Sequence, residues 1–308
     1  MNIDKSAIAQ LELLIDARNT LGEGVLWCER SHRVYWTNIH VQRLHCFCQT
    51  TGVLNEWVMP ERLCCFALTQ DENIMLLGLA SRLVFFDLRT QAVTAICTVE
   101  DELPMTRVND GRCDREGRFV FGTMDERADK EAIGHFYRLN RDLILERLPL
   151  PRIAIANSIC FSTDGASMYF CDSMKKIIWC WDGYARGDVA RIRVFADLSF
   201  GAAAPDGATV DADGFLWSAQ WGGARVVRYA PDGSIDRTLS LPVSQPSCVC
   251  LGGPSLNELF VTSAQESLSI AMLAAEPLAG GLFHTLLDDV RGLPEVRFGG
   301  GAEPDAVN

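Results

Sequence analysis

The sequence predicts an all-β fold, a six-bladed β-propeller that forms a single domain over residues 1–308. Three observations predict it. Short segments rich in β-branched and aromatic residues occur along the whole chain, long segments of helical periodicity are missing, and a strand–turn–strand unit recurs six times. A period of forty-odd residues is typical of a four-stranded propeller blade. A β-solenoid usually has shorter repeats and leaves its edge strands exposed.

Each repeat begins with an apolar segment, passes through a polar turn and continues into a second strand. Examples are "GVLWCERSHRVYWTN", "NDGRCDREGRFVFGTMD" and "DGATVDADGFLWSAQ". The units begin near residues 25, 66, 109, 157, 206 and 247, so successive starts are 41 to 49 residues apart. Later segments such as "LVFFDLRT" and "VVRYAPDG" supply the further strands of each unit.

Helix is predicted only near residues 5–15 and 268–276, because no other segment shows even a short helical pattern. The propeller core is expected at about residues 13–295. The last segment, about 297–308, reads "RFGGGAEPDAVN" and is expected to be disordered, since small and polar terminal residues are rarely held in place.

Composition restricts the class of protein. A hydrophobic content of 48% with 22% charged residues is typical of a compact globular chain, and a net charge of −12 argues against nucleic acid or an anionic membrane as partners. The first twenty residues lack the pattern of a signal peptide, and the longest apolar runs are too short to span a bilayer. The twelve cysteines are therefore interpreted as reduced core residues of a cytoplasmic protein.

Oxygen-bearing side chains stand where the repeats begin. Because the first strand of every propeller blade lines the central channel, these positions converge at one mouth of it. They comprise two amides and three carboxylates: Asn109, Asn157, Glu23, Asp110 and Asp206. Several oxygen donors around one opening favour a site for a hard cation.

Four motifs, in this order, resemble the SMP-30/gluconolactonase/regucalcin-like family of six-bladed propeller lactonases. They are "LGEGVLW", "RVNDGRCDREGRFVFGTM", "IAIANSICFSTDGASMYFCDS" and "PDGATVDADGFLWSAQWGGARVVRYAPDG". The resemblance covers about residues 13–265. It implies that Glu23, Asn157 and Asp206 bind one divalent metal ion, and that Arg107 and Asn109 contact a sugar lactone. Oxygen ligands favour Ca²⁺ first, with Mg²⁺, Mn²⁺, Zn²⁺ and Fe²⁺ as alternatives.

The chain departs from the family pattern at three places. The family has a third substrate contact, a glutamate shortly after the "GTM" strand, but the strict offset falls on Arg127 here, and Glu126 lies one residue away. Whether Glu126 takes that role stays open at this stage. The usual "NG" after the metal-binding asparagine is replaced by Ser158, and Val25 stands where proline is common.

The leading hypothesis is a metal-dependent carboxylic ester hydrolase that opens an arabinono-, glucono-, galactono- or xylonolactone to its aldonic acid. In this hypothesis Asp206 is also the general base, and Arg107 orients substrate oxygens. Each residue has an ordinary alternative: Asp206 lies in a "PDG" turn motif that recurs at residues 231–233, Asn157 could cap a turn, and Arg107 could pair with Asp101 or Glu102.

Two other classes of function compete with a lactonase. One is a non-catalytic calcium- or ligand-binding propeller, suggested by the resemblance of "VYWTN" to YWTD repeats, although this motif occurs once and not in every repeat. The other is a promiscuous esterase or phosphotriesterase, which the same metal geometry could support. The sequence gives no indication of the oligomeric state.

Overall fold

The computed structural model describes residues 11–300 and contains six antiparallel four-stranded sheets. The innermost strands of neighbouring sheets contact one another in sequence, and the innermost strand of the last sheet contacts that of the first, so the sheets form a closed ring. The predicted six-bladed propeller is confirmed. Each predicted repeat start lies within an innermost strand.

The strands of each blade follow one another in the chain from the channel outwards. Blade 1 contains β2 (Gly22–Cys28), β3 (Arg33–Asn38), β4 (Arg43–Cys48) and β5 (Leu54–Val58). Blade 2 contains β6 (Leu63–Leu68), β7 (Ile74–Leu79), β8 (Arg82–Asp87) and β9 (Val93–Thr98). Blade 3 contains β10 (Thr106–Cys113), β11 (Phe119–Asp125), β12 (Phe136–Leu139) and β13 (Leu145–Arg147).

The second half of the ring has the same order. Blade 4 contains β14 (Ala156–Phe161), β15 (Met168–Asp172), β16 (Ile177–Trp181) and β17 (Ile192–Asp197), with short 3-10 turns at Tyr184–Arg186 and Val189–Arg191. Blade 5 contains β18 (Ala204–Val210), β19 (Leu216–Trp221), β20 (Arg225–Tyr229) and β21 (Ile235–Ser240). Blade 6 contains β22 (Pro246–Gly252), β23 (Glu258–Ser263), β24 (Leu282–Leu286) and the N-terminal strand β1 (Glu12–Ile15).

The ring closes through this N-terminal strand. β1 pairs antiparallel with β24, with Leu13 opposite Phe283, so the last blade combines the two ends of the chain. The helix predicted near residues 5–15 is therefore wrong for residues 12–15, where pairing with β24 overrides local propensity; residues 5–10 lie outside the described range. The second predicted helix is confirmed as α1 (Ile270–Ala275), whose first turn is capped by the Ser269 hydroxyl.

The core lies between the faces of adjacent blades. Blades 1 and 6, for example, are joined by stacking of Trp27 on Phe260, with ring centroids 5.9 Å apart. Eleven of the twelve cysteines are buried and none forms a disulfide, so they act as small apolar core residues, as the sequence predicted. No helix within residues 11–300 is long and apolar enough to cross a membrane.

The C-terminal segment crosses the face of the ring at which the innermost strands end. The backbone N–H of Phe298 donates to Leu68 at the end of β6, Gly299 N–H donates to the carbonyl of Gly117, and the Arg297 guanidinium donates to Thr69. Phe298 is fully buried. The predicted disorder is therefore wrong for residues 297–300, because one buried aromatic side chain anchors a glycine-rich segment; residues 301–308 lie outside the described range.

Candidate active site

The predicted site residues lie at the opposite face, where all but Glu126 occupy the first few positions of the innermost strands and Glu126 directly follows β11. There the pairing of each innermost strand with its neighbour is interrupted. The register shifts between Glu23 and Leu26 in β2, and between Asn157 and Cys160 in β14. It also shifts between Pro205 and Ala208 in β18, and between Val108 and Gly111 in β10. Such bulges re-aim side chains locally, which places the site residues around the mouth of the channel.

Three carboxylates from three blades affect one another there. Asp206 is buried, and Glu23 and Asp110 are partly buried. Burial, followed by the negative charge of Asp110, raises the pKa of Glu23 from 4.5 to about 8. Burial, followed by the charge of Glu23, raises the pKa of Asp206 well above its ordinary value. The structure thus brings the two predicted carboxylate ligands together.

The predicted amide residues are linked to each other by hydrogen bonds. The Asn109 side chain donates to the Asn157 side-chain oxygen over 2.9 Å and to the backbone carbonyl of Ala156 over 2.9 Å. The Asn157 amide donates to the Ser173 hydroxyl over 2.9 Å. Because an amide oxygen has two lone pairs, the Asn157 oxygen keeps one of them available for a further partner.

The turn after Asn157 is held from both sides. Ser158 occupies the left-handed region, with φ of 57°, so the departure from glycine keeps the backbone conformation that glycine favours. Its hydroxyl donates to the backbone carbonyl of Asp206. The Asp110 carboxylate accepts from the backbone N–H of Ile159 over 2.9 Å and so supports this turn.

Arg107 lies beside the hydrogen-bonded pair of Asn109 and Asn157, and it is only 5% exposed. Its guanidinium donates to the Asn109 side-chain oxygen over 2.6 Å and to the Val108 carbonyl over 2.8 Å. Its acidic neighbour is Glu126, with 3.6 Å between Nε and Oε1. The ion pair with Asp101 or Glu102 that the sequence left open is not formed, since Asp101 accepts instead from Thr98 and Glu102 lies on an exposed turn.

The loop after β11 separates the roles of Glu126 and Arg127. Asp125 accepts hydrogen bonds from the backbone N–H and from the guanidinium of Arg127, and from the N–H of Glu131. Arg127 is thereby committed to its own loop. Glu126 instead contacts Arg107 and Arg62, the second of which no sequence motif indicated.

A second pair that sequence reasoning missed lies at the same mouth. His40, after β3, and Glu266, after β23, are 2.9 Å apart between Nε2 and Oε1. The charge of Glu266 raises the pKa of both Glu23 and Asp206, so it lies within electrostatic range of them. Both residues lie in loops at the face of the ring where the innermost strands begin. This position is the one signal in the sequence that could have identified them.

The donor set fits a hard divalent cation. Among residues 11–300, no group of three or more His, Cys, Asp or Glu side chains is arranged to hold a metal ion by itself. The predicted set differs in kind, since it combines two carboxylates with one amide oxygen. Glu23 and Asp206 repel each other, and the charge of Arg107 offsets this only in part for Glu23. A bound cation would compensate the charge that burial leaves without a partner.

Comparisons with known proteins bear on this site. The model of the SMP-30/Gluconolactonase/LRE-like region matches residues 21–265. The L-arabinolactonase of Azospirillum brasilense is 54% identical, covering 89% of this chain and 91% of that protein. The 6-deoxy-6-sulfogluconolactonase of Pseudomonas putida is 32% identical, covering 94% and 99%. The crystal structure of a calcium-binding protein, regucalcin, from Agrobacterium tumefaciens superposes with a TM-score of 0.87 at 30% identity, covering 94% of this chain and 97% of that one.

Proposed function

This chain belongs to the SMP-30/Gluconolactonase/LRE-like family, and from this premise we propose that it is a metal-dependent hydrolase of a five- or six-carbon sugar lactone. The sequence predicted membership of this family and the activity of a lactonase, which is a carboxylic ester hydrolase, and both predictions are confirmed. Metal dependence and the substrate are our proposal. The observation that carries it is the convergence of Glu23 and Asp206 beside Asn157 at one mouth of the channel.

Arabinonolactone is the first substrate to test among the four predicted sugar lactones. The relative that is 54% identical is an L-arabinolactonase, and its likeness extends over most of both chains. The other side chains at the mouth suit an uncharged polyhydroxy compound, because they offer both donors and acceptors. Arg107 presents N–H donors, and the Glu126 carboxylate and the Asn109 side-chain oxygen present acceptors.

The metal would be held by the carboxylates of Glu23 and Asp206 and by the amide oxygen of Asn157. When bound, it supplies a positive charge that polarises the lactone carbonyl. Oxygen ligands and the similarity to a calcium-binding protein favour Ca²⁺ as the first ion to test. Asn109 and Ser173 orient the Asn157 amide, so its oxygen is presented in a fixed direction.

Asp206 is the proposed general base. Its carboxylate accepts a proton from the water whose oxygen attacks the carbonyl carbon. The bond between that carbon and the ring oxygen then breaks, and the ring oxygen receives the proton and becomes a hydroxyl group. Arg107 and Asn109 hold the sugar so that the carbonyl faces Asp206. The product is an aldonic acid, which ionises and acidifies the medium.

The test is a pH-indicator assay of the metal-stripped and metal-reloaded protein with the four lactones. We expect turnover that is lost with chelator and restored by a divalent ion. Asp206→Asn should reduce kcat by at least about 10²-fold. The matched control is Asp232→Asn, because Asp232 occupies the same "PDG" motif in an exposed turn, where it accepts from Ser234. Hydrolysis that survives both chelator and Asp206→Asn would contradict the proposed function.

A further inference from the structure

Arg62 and Glu126 form a bidentate ion pair between two blades at the mouth of the channel. Arg62 directly precedes β6 in blade 2, and Glu126 directly follows β11 in blade 3. One guanidinium nitrogen of Arg62 donates to Oε1 of Glu126, and the other donates to Oε2 over 2.8 Å. Both side chains are 30% exposed, so the pair is not a part of the core.

This pair is the outer end of a chain of polar contacts that reaches the proposed metal ligands. Oε1 of Glu126 lies 3.6 Å from Nε of Arg107. Arg107 donates to the Asn109 side-chain oxygen, and Asn109 donates to the Asn157 side-chain oxygen. A change in where Glu126 points therefore acts on the residues that contact the substrate.

The backbone already sets the position of Glu126, but it leaves the carboxylate free to rotate. Its N–H donates to the carbonyl of Met105 over 2.8 Å, and the adjacent Asp125 fixes the loop through Arg127. The hydrogen bonds from Arg62 are the main cause that lowers the pKa of Glu126, and the charges of Arg107 and Lys130 lower it further. Arg62 is the contact that selects one orientation, since a planar guanidinium fork fixes both carboxylate oxygens at once.

We propose that Arg62 is a positioning residue for substrate recognition, which holds the Glu126 carboxylate as an oriented acceptor for hydroxyl groups of the sugar lactone. This inference rests on the proposed function. It explains how Glu126 serves in this chain although the family offset falls on Arg127. Two arginines and one glutamate also leave a net positive charge, so the cluster offers N–H donors as well as carboxylate acceptors to a polyol.

The experiment measures kcat and KM for arabinonolactone, or for the best lactone of the panel, with metal-saturated variants. We expect Arg62→Met to raise KM about 10-fold or more while kcat changes less than 3-fold, because the residues that perform the chemistry are untouched. Arg62→Lys should recover part of the loss, since it restores the charge but not the fork. The matched control is Arg82→Met, which removes another arginine–glutamate pair of blade 2, 2.8 Å from Glu61, and should leave KM unchanged.

A double-variant cycle separates positioning from direct binding. If Arg62 acts through Glu126, adding Arg62→Met to Glu126→Gln should change KM less than 2-fold. A full additional loss would overturn the inference, as would an Arg62→Met effect equal to that of Arg82→Met. These outcomes require a wild-type protein that hydrolyses the lactone. If the wild-type protein turns over none of the panel, the proposed function fails, and the role of Arg62 in recognition fails with it.

Discussion

Replacing Glu23 by glutamine should stabilise the metal-free protein while weakening its binding of metal. Without metal, Glu23 shares the mouth of the channel with other carboxylates, and burial, followed by the charges of Asp110 and Glu266, raises its pKa from 4.5 to about 8. Glutamine has nearly the same shape and keeps an acceptor for the N–H of Gly24, which donates to Oε2 over 3.1 Å. The substitution therefore removes mainly the negative charge.

The magnitude follows from the pKa shift. The folded state favours protonated Glu23, so this contribution to stability is fully present below pH 4.5 and is lost as the pH rises through about 8. One pKa unit corresponds to about 1.4 kcal/mol, and pH 7 lies between the unfolded and folded values, which gives an upper bound of about 3 to 4 kcal/mol at that pH. Since Asp206 relaxes when its neighbour is neutral, we expect a gain of about 1 to 3 kcal/mol, or about 2 to 6 °C in Tm.

The assay is thermal unfolding of wild-type and Glu23→Gln protein between pH 4.5 and 8.5, with chelator and with Ca²⁺. With chelator, the advantage of the variant should be near zero at the acidic end and should grow with pH. At a Ca²⁺ concentration of 100 Kd, wild type should gain about 2.7 kcal/mol and the variant much less, so the ranking approaches equality or inverts. The control is Glu116→Gln, whose side chain is 63% exposed, with an expected change within about 0.5 kcal/mol.

A metal-free variant that is no more stable than wild type at any of these pH values would refute the reasoning. It would mean that Glu23 carries no uncompensated charge and that the opening needs no cation. Equal stabilisation of wild type and variant by Ca²⁺ would have the same consequence, since it would place the ion elsewhere.

Substitutions at two further positions test the structural account. Ser158→Ala and Ser158→Gly both lose the hydrogen bond to Asp206, but only glycine relieves the strain of the left-handed backbone. The free energy of unfolding, measured by urea titration, should therefore be about 1 kcal/mol higher for Ser158→Gly than for Ser158→Ala. A Ser158→Ala protein that is more stable than the Ser158→Gly protein would contradict the left-handed backbone conformation of residue 158. Phe298→Ala removes a fully buried ring and should destabilise the protein by about 3 to 5 kcal/mol in the same titration, while a change below about 1 kcal/mol would show that the C-terminal segment is loosely held.

The ring of blades could be predicted because the repeat carries the signal several times over. Six alternations of apolar strand and polar turn predicted the number of blades and a position within each innermost strand. Propeller geometry then implied that Glu23, Asn157 and Asp206 meet, although they are far apart in the chain. The segments at the two ends of the chain occur once each, so their sequence pattern is not reinforced by repeats. The first strand was interpreted as helix, and the segment after residue 296 as disordered, because their partners, β24 and the ends of other blades, are distant in sequence.

Side-chain contacts across blades were beyond the sequence for the same reason. Arg62 and Glu126 lie in loops of different blades, and neither loop has a motif that indicates the other. The choice between Glu126 and Arg127 depends on Asp125, whose carboxylate binds Arg127 and so directs the two neighbours apart. Such a choice is decided by three-dimensional packing and is not encoded in residue spacing.

The most direct test of the central claim is the anomalous-scattering map of a crystal soaked in Mn²⁺, which stands in for the native divalent ion. The account predicts one strong peak at the mouth of the channel, about 2.0 to 2.6 Å from oxygen atoms of Glu23, Asn157 and Asp206. A map with no peak there, or with its strongest peak coordinated by other side chains, would contradict it.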